Sequence, residues 1–261
     1  MTDSPTRDCD QDRDSTRDSA AALPVPEPAA ASAGTDPTPA LSLQQLRFRW
    51  PGADRDTLDI PALQVERGET LFVRGPSGCG KSTLLSLLAG VLVAEQGQVL
   101  ALGQAWSGLS PAQRDRRRAD HVGYIFQQFN LLPYLSVLDN VRLPLRFSAL
   151  RAARCAPGQA ESLLARTGLA QRHWRVPAGQ LSIGQQQRVA AARALIGQPD
   201  IVIADEPTSA LDEDLREAFM DLLLSACAEA GSALVFVSHD ARLAAHFARQ
   251  LDLPQINRAV L

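Results

Sequence analysis

From about residue 41 onward, short apolar runs alternate with amphipathic stretches. Leu41–Trp50 alternates well enough for a strand, and Pro51-Gly52-Ala53-Asp54 reads as the turn that follows it. A second strand is predicted over Leu58–Val65, a turn at Arg67-Gly68 and a short apolar strand over Thr70–Arg74. Helical periodicity covers Lys81–Val91. Strands at Gly97–Leu102 and Val122–Phe126 flank a helix rich in arginine (Arg114, Arg116, Arg117, Arg118). Residues 136–180 read as mostly helical. Beyond them come a helix from about Ser182 to Ile196, the strand Ile201–Ala204, a helix over Glu213–Ala228, the strand Ala233–Val237 and a last helix after Asp240. Strands this apolar, alternating with helices, are buried on both sides, which predicts an α/β fold with a parallel sheet between helical layers. The helical stretch at about 130–180 breaks the alternation and is predicted to be an inserted subdomain.

Residues 1–40 differ in kind. They carry eight acids against three arginines, are rich in Pro and Ala, and contain no aromatic residue. This composition predicts a disordered acidic tail in front of an ordered domain at 41–261. The net charge of the chain is −3 and the tail alone holds −5, so the body offers no strong field for nucleic acid. The arginine-rich helix accordingly reads as a solvated face. The start is acidic and lacks the apolar stretch of a secretory signal, and no run approaches the ~20 apolar residues that cross a bilayer. Cys9, Cys79, Cys155 and Cys227 show no paired spacing, which predicts reduced thiols in the cytoplasm and no zinc site.

Of the 26 basic side chains only one, Lys81, is lysine. It sits in Gly75-Pro76-Ser77-Gly78-Cys79-Gly80-Lys81-Ser82-Thr83, which fits the phosphate loop G-x-x-x-x-G-K-[ST] at every fixed position. A strand before it and a helix after it give the context this motif requires. The glycines let backbone N–H groups curl around phosphates, and the following helix presents its positive end. Lys81 is expected to neutralise the β/γ oxygens of a nucleoside triphosphate, with the Ser82 hydroxyl placed for Mg²⁺ and Thr83 near the α/β region. Downstream, Ile201–Ala204 runs into Asp205 and Glu206. Asp205 at the end of such a strand can hold Mg²⁺ beside Ser82, and Glu206 would face the attacking water as its base. In Leu181-Ser182-Ile183-Gly184-Gln185-Gln186-Gln187-Arg188, Ser182 reads as a helix N-cap, and this second helix start could grip phosphate. Cys79 reads as an ordinary small residue of the loop. The alternative for it is a thiol activated by the helix N-terminus, whose oxidation or alkylation would block nucleotide binding.

The string 181–188 resembles the signature of ABC-type ATPases, usually Leu-Ser-Gly-Gly-Gln, with Ile183 at the variable position. The resemblance spans roughly residues 41–250 and implies a P-loop NTPase core, with an N-terminal antiparallel β subdomain and an inserted helical subdomain. By the same resemblance, Ser182, Gly184 and Gln185 contact ATP. Gln127, in Tyr124-Ile125-Phe126-Gln127, matches the glutamine that touches the metal and senses the membrane partner. Ser209-Ala210-Leu211-Asp212 resembles the loop that crosses to the second subunit. His239 matches the switch histidine at the γ-phosphate, and Trp50 stands where an aromatic stacks on adenine. His121, His173 and His246 read as ordinary structural histidines. The stretch Leu251-Asp252-Leu253-Pro254-Gln255-Ile256-Asn257-Arg258 departs from the family, where a strand and an Asp-Gly turn are common.

In this family the phosphate loop and the signature of one chain do not reach the same ATP, so the resemblance implies a head-to-tail homodimer closing on two ATP. It also implies membrane permease subunits as partners, with this chain peripheral on the cytoplasmic face of the inner membrane. The segment Phe126–Pro133, followed by Leu135–Val141, is similar to ATPases of the lipoprotein-releasing, macrolide-efflux and cell-division group. The permeases of that group carry large extracytoplasmic domains. A soluble ABC ATPase of DNA repair or translation is the alternative, and it usually needs tandem cassettes, a coiled-coil insertion or a strongly basic surface. A small-molecule kinase shares the loop but not the signature or His239. Cargo and direction of transport belong to the permease. Lys81→Ala is expected to abolish nucleotide affinity, and unchanged affinity in an equilibrium binding measurement would exclude the phosphate-loop reading.

Overall fold

The computed structural model of the chain describes residues 38–209 and 211–259. The expectation of a disordered acidic tail lies outside these residues as far as position 37.

Two sheets carry the fold. Strands β1 (Leu41–Phe48) and β2 (Leu58–Val65) pair antiparallel, with Phe48 opposite Leu58 across the turn. Then come β3 (Thr70–Arg74), helix α1 (Lys81–Leu88), β4 (Gln96–Ala101) and the two-residue β5 (Gln104–Ala105). The antiparallel sheet has the order β2-β1-β4-β5. Helix α2 (Pro111–His121) leads into β6 (Val122–Ile125), followed by α3 (Val137–Phe147), α4 (Ala149–Arg154), α5 (Gln159–Arg166) and α6 (Ile183–Leu195). The chain continues through β7 (Ile201–Asp205), α7 (Glu213–Ala230), β8 (Ala233–Val237), β9 (Arg249–Asp252) and the short α8 (Leu253–Ile256). The second sheet is parallel, in the order β6-β7-β8-β3-β9.

Alternation along the buried strands divides the core in two. Leu71, Val73, Ile203, Val235 and Val237 join the cluster built with α1 and the antiparallel sheet. Phe72, Val202, Ala204, Leu234 and Phe236 join the opposite cluster, with Val189 and Leu195 of α6 and Phe219 and Leu223 of α7. Phe72 stacks on Phe236 with ring centres 6.0 Å apart. Every residue of β7 and β8 is buried, which is why both strands read as plain apolar runs.

The structure corrects the sequence reading in two places. Helix α1 stops at Leu88, short of Val91, where the buried Trp106 donates its indole N–H to the Leu88 carbonyl at 3.1 Å. The predicted last helix is a 3₁₀ turn over Ala241–His246, after which the chain returns as β9. That edge strand, Arg-Gln-Leu-Asp, is exposed or half-buried, so it carries no apolar signal to read.

The helices between β6 and β7 are tied to the core by one fully buried cation. Arg151 on α4 donates to the carbonyls of Ala194 (2.8 Å), Ile196 (2.9 Å) and Val122 (3.4 Å). Those carbonyls at the end of α6 have no further helical turn to accept from. Burial brings the Arg151 pKa down to about 10, which leaves it charged at neutral pH. Arg151→Ala should destabilise the fold by about 3 kcal/mol in urea denaturation; an unchanged midpoint would show the guanidinium to be idle.

Candidate functional site

Residues 75–80 link β3 to α1. Gly80 has φ +98°, and a Cβ there would lie 2.8 Å from Leu58 Cδ2, so the loop seats directly on the start of β2. The Lys81 ammonium donates to the carbonyls of Gly75 and Pro76, both at 2.9 Å, and spans the mouth of its own loop. Ser77, Gly78, Gly80, Lys81, Ser82 and Thr83 line a cavity of about 670 Å³. Gly75, Pro76 and Cys79 are not among its lining residues. Cys79 is only 1% exposed and packs into the core beside Leu71 and Val73. This burial agrees with reading Cys79 as an ordinary small residue of the loop and counts against the alternative of a reagent-accessible thiol.

The remaining walls come from strand ends far apart in sequence. Gln127 follows β6, Asp205 closes β7, Glu206 comes next and His239 follows β8. All stand at the C-terminal end of a parallel sheet, where open α/β folds collect ligands. Asp205 is 93% buried, and burial is the largest cause of its raised carboxyl pKa; the Ser82 hydroxyl pulls the other way and nearby Glu206 raises it further. Glu206 adopts φ +47°, a costly left-handed conformation for this residue, with its N–H bonded to the Val237 carbonyl at 2.9 Å. Its carboxylate meets His239 Nδ1 at 3.1 Å. Trp50 stands half-exposed at the rim, edge-on to Phe48 with ring centres 5.3 Å apart. Thr57, not singled out in the sequence, also lines the cavity.

Ser182, Gly184 and Gln185 do not line this cavity. They form the first turn of α6, where the Ser182 hydroxyl accepts from the Gln185 N–H (3.4 Å) and the Gln185 side chain accepts from the Ser182 N–H (3.0 Å). This is a capping box, and it leaves the neighbouring Ile183 side chain exposed. Asp212 caps α7 through the Leu215 N–H.

Several supporting side chains had no motif to reveal them. Arg193 on α6 donates to the carbonyls of Phe129 and Asn130, both in the left-handed region, and so braces the loop that carries Gln127. Asn140 knits the same loop together through Leu132, Leu135 and Ser136. Arg216 joins Asp240, next to His239, to the Leu211 carbonyl. The bonds of Arg193 and the Arg216–Asp240 pair are long-range, and those of Asn140 stay within its own loop; none follows a local periodicity.

A phosphate loop, a metal-suited carboxylate and a carboxylate–histidine pair in one cavity at the end of a parallel sheet define a P-loop ATPase. The "ABC transporter" family model matches residues 58–209. The ABC transporter ATP-binding protein YbbA of Escherichia coli K12 is 46% identical over 191 residues, 73% of this chain and 83% of that protein. The lipoprotein-releasing system ATP-binding protein LolD of Hydrogenovibrio crunogenus is 44% identical over 192 residues, 74% of this chain and 83% of that protein. Among solved structures, the dimeric post-hydrolysis state of the ATP-binding cassette MJ0796 bound to ADP and Pi superposes with a TM-score of 0.75. It is 34% identical, and the match covers 84% of this chain and 97% of that one. The chain belongs to the ABC transporter family, as an ATP-binding and ATP-hydrolysing subunit.

The raised Asp205 pKa carries a stability cost with a definite sign. Ionising a carboxyl whose folded pKa lies above its unfolded value weakens the fold as pH rises through the raised value. Asp205→Asn should therefore raise the melting temperature of the nucleotide-free protein at about pH 7.5, the gain shrinking as pH falls toward about 4. Equal melting temperatures at every pH would overturn this.

Proposed function

We propose that this subunit works as a homodimer that closes on two ATP and drives separate membrane permease subunits. The observation that carries the reading is the division of the binding groups. The phosphate loop, Gln127, Asp205, Glu206 and His239 share one cavity, whereas Ser182, Gly184 and Gln185 start a helix that does not border it. A second copy offering its α6 start would supply the missing wall. The solved relatives described as dimeric support this arrangement.

Within the cavity, the loop amides of 75–80 and the Lys81 ammonium bind the β- and γ-phosphates, Thr83 flanks the α/β region and Trp50 stacks on the base. Lys81 exchanges its two carbonyl contacts for phosphate oxygens. Asp205, Ser82 and Gln127 form a hard-oxygen donor set with one carboxylate, which suits Mg²⁺, and a buried carboxyl with a raised pKa gains from a nearby cation. When bound, Mg²⁺ would neutralise phosphate charge there. Glu206 takes a proton from the water whose oxygen attacks the γ-phosphorus, as the bond to the β-phosphate oxygen breaks and ADP leaves. His239 donates to the γ-phosphate and orients Glu206.

The permease partner has a fitting surface elsewhere. A groove of about 860 Å³ is lined by Leu143, Pro144, Phe147 and Leu150 together with Arg116 and Arg146. Phe147 is 69% exposed, and apolar side chains beside arginines and the acids Asp115 and Asp120 suit a short amphipathic segment of another chain. No helix among the described residues is long and apolar enough to cross a membrane. The likeness to LolD, the ATP-binding protein of a lipoprotein-releasing system, supports a permease of the lipoprotein-release or efflux type. A large extracytoplasmic domain on that permease, and a place for this subunit on the cytoplasmic face of the membrane, belong to the proposal.

Glu206→Gln should keep ATP binding, lose turnover by at least about 10²-fold and accumulate dimer. Cysteines placed at positions 77 and 182 should then crosslink between copies when nucleotide is present. A fully active Glu206→Gln protein, or no crosslink between copies, would refute the shared site.

A further inference from the structure

The stretch after β9 folds against the back of the nucleotide cavity. After β9 pairs with β3, α8 turns under the phosphate loop: a Cβ on Gly75 would lie 3.2 Å from Pro254 Cδ and 3.7 Å from Leu253 Cβ. Leu253 itself is fully buried. One turn later Asn257 reaches the start of β2, on which the phosphate loop is seated. Its side-chain oxygen accepts from the Asp59 N–H at 2.8 Å, and its amide donates to the Thr57 carbonyl at 3.1 Å. The backbone of Arg258 adds a bond to the Asp59 carbonyl at 2.8 Å. Residues 57–59 are thereby held between Asn257 and the loop, since a Cβ on Gly80 would meet Leu58 Cδ2 at 2.8 Å and the Thr57 carbonyl at 3.4 Å. Thr57 lines the cavity, and the neighbouring turn carries Trp50.

We infer that residues 253–258 form a clamp that holds the Thr57–Asp59 segment and the phosphate loop together at the ATP cavity, with Asn257 as a positioning residue for nucleotide affinity. One side chain fixes the Thr57–Asp59 segment while its own short helix backs Gly75, so the seat of the loop on β2 is set by a segment that does not line the cavity. Asn257 supplies both a donor and an acceptor to adjacent backbone groups, and an aliphatic side chain can supply neither. The clamp acts before chemistry. It bears on the groups that hold ATP and not on Glu206 or His239, so its loss should weaken binding and spare the chemical step.

This inference rests on reading the cavity as the ATP pocket, and Lys81→Ala tests that reading separately: it should abolish ATP binding in the same full-length chain. Asn257→Ala should raise both the Kd and the KM for ATP about five-fold, leaving kcat within about two-fold of wild type. Asn257→Asp keeps the acceptor for the Asp59 N–H, loses the donor to Thr57, and should fall between. A folded Asn257→Ala protein with wild-type ATP affinity would overturn the clamp, as would an unchanged KM with a reduced kcat. If the alanine variant does not fold, the aspartate variant decides by the same criterion. Failure of both to fold would assign Asn257 to stability alone and overturn the inference. If Lys81→Ala still binds ATP normally, the pocket assignment falls instead.

Discussion

A parallel sheet covered on both faces leaves no place for polar chemistry along its strands, and this constraint organises the rest of the molecule. Side chains of β7 and β8 are buried throughout, so charged groups can stand only where those strands end. The spatial order β6-β7-β8-β3 then lays the Gln127 loop, Asp205 with Glu206, His239 and the phosphate loop side by side. Groups separated by long stretches of sequence thus become neighbours through strand order alone.

That same constraint decides how much could be read from the sequence. Fully buried strands are uninterrupted apolar runs, so Thr70–Arg74 and Ala233–Val237 were legible to the residue, and Ile201–Asp205 to within one. Motifs anchored at their ends were legible for the same reason. The edge strand β9 was not, because half-exposed polar residues leave no pattern. The direction of Cys79 was hidden too: a loop residue's orientation depends on what packs beneath it, and here the side chain is buried in the cluster that holds Leu71, Val73 and Leu84. Arg151, Arg193 and Asn257 act through backbone carbonyls and amides distant in sequence. Nothing in their local sequence marks those partners.

The site keeps its charges at some cost to the resting fold. Burial works against the charge of Asp205, Glu206 holds a backbone conformation that glycine would take more readily, and Lys81 bridges carbonyls of its own loop. Arg193 links this economy to the rest of the chain, because α6 carries the signature residues at its start and the brace for the Gln127 loop near its end. A displacement of α6 would reach both.

The lone lysine has a consequence for handling this protein. Reagents that acylate primary amines usually scatter over many surface lysines, and here the single ε-amine lies in the ATP cavity. Apart from the chain's α-amine, amine-directed labelling or surface immobilisation has no other primary amine to take. Such treatment becomes a site-directed inactivation, and a nucleotide bound beforehand would shield the one group it attacks.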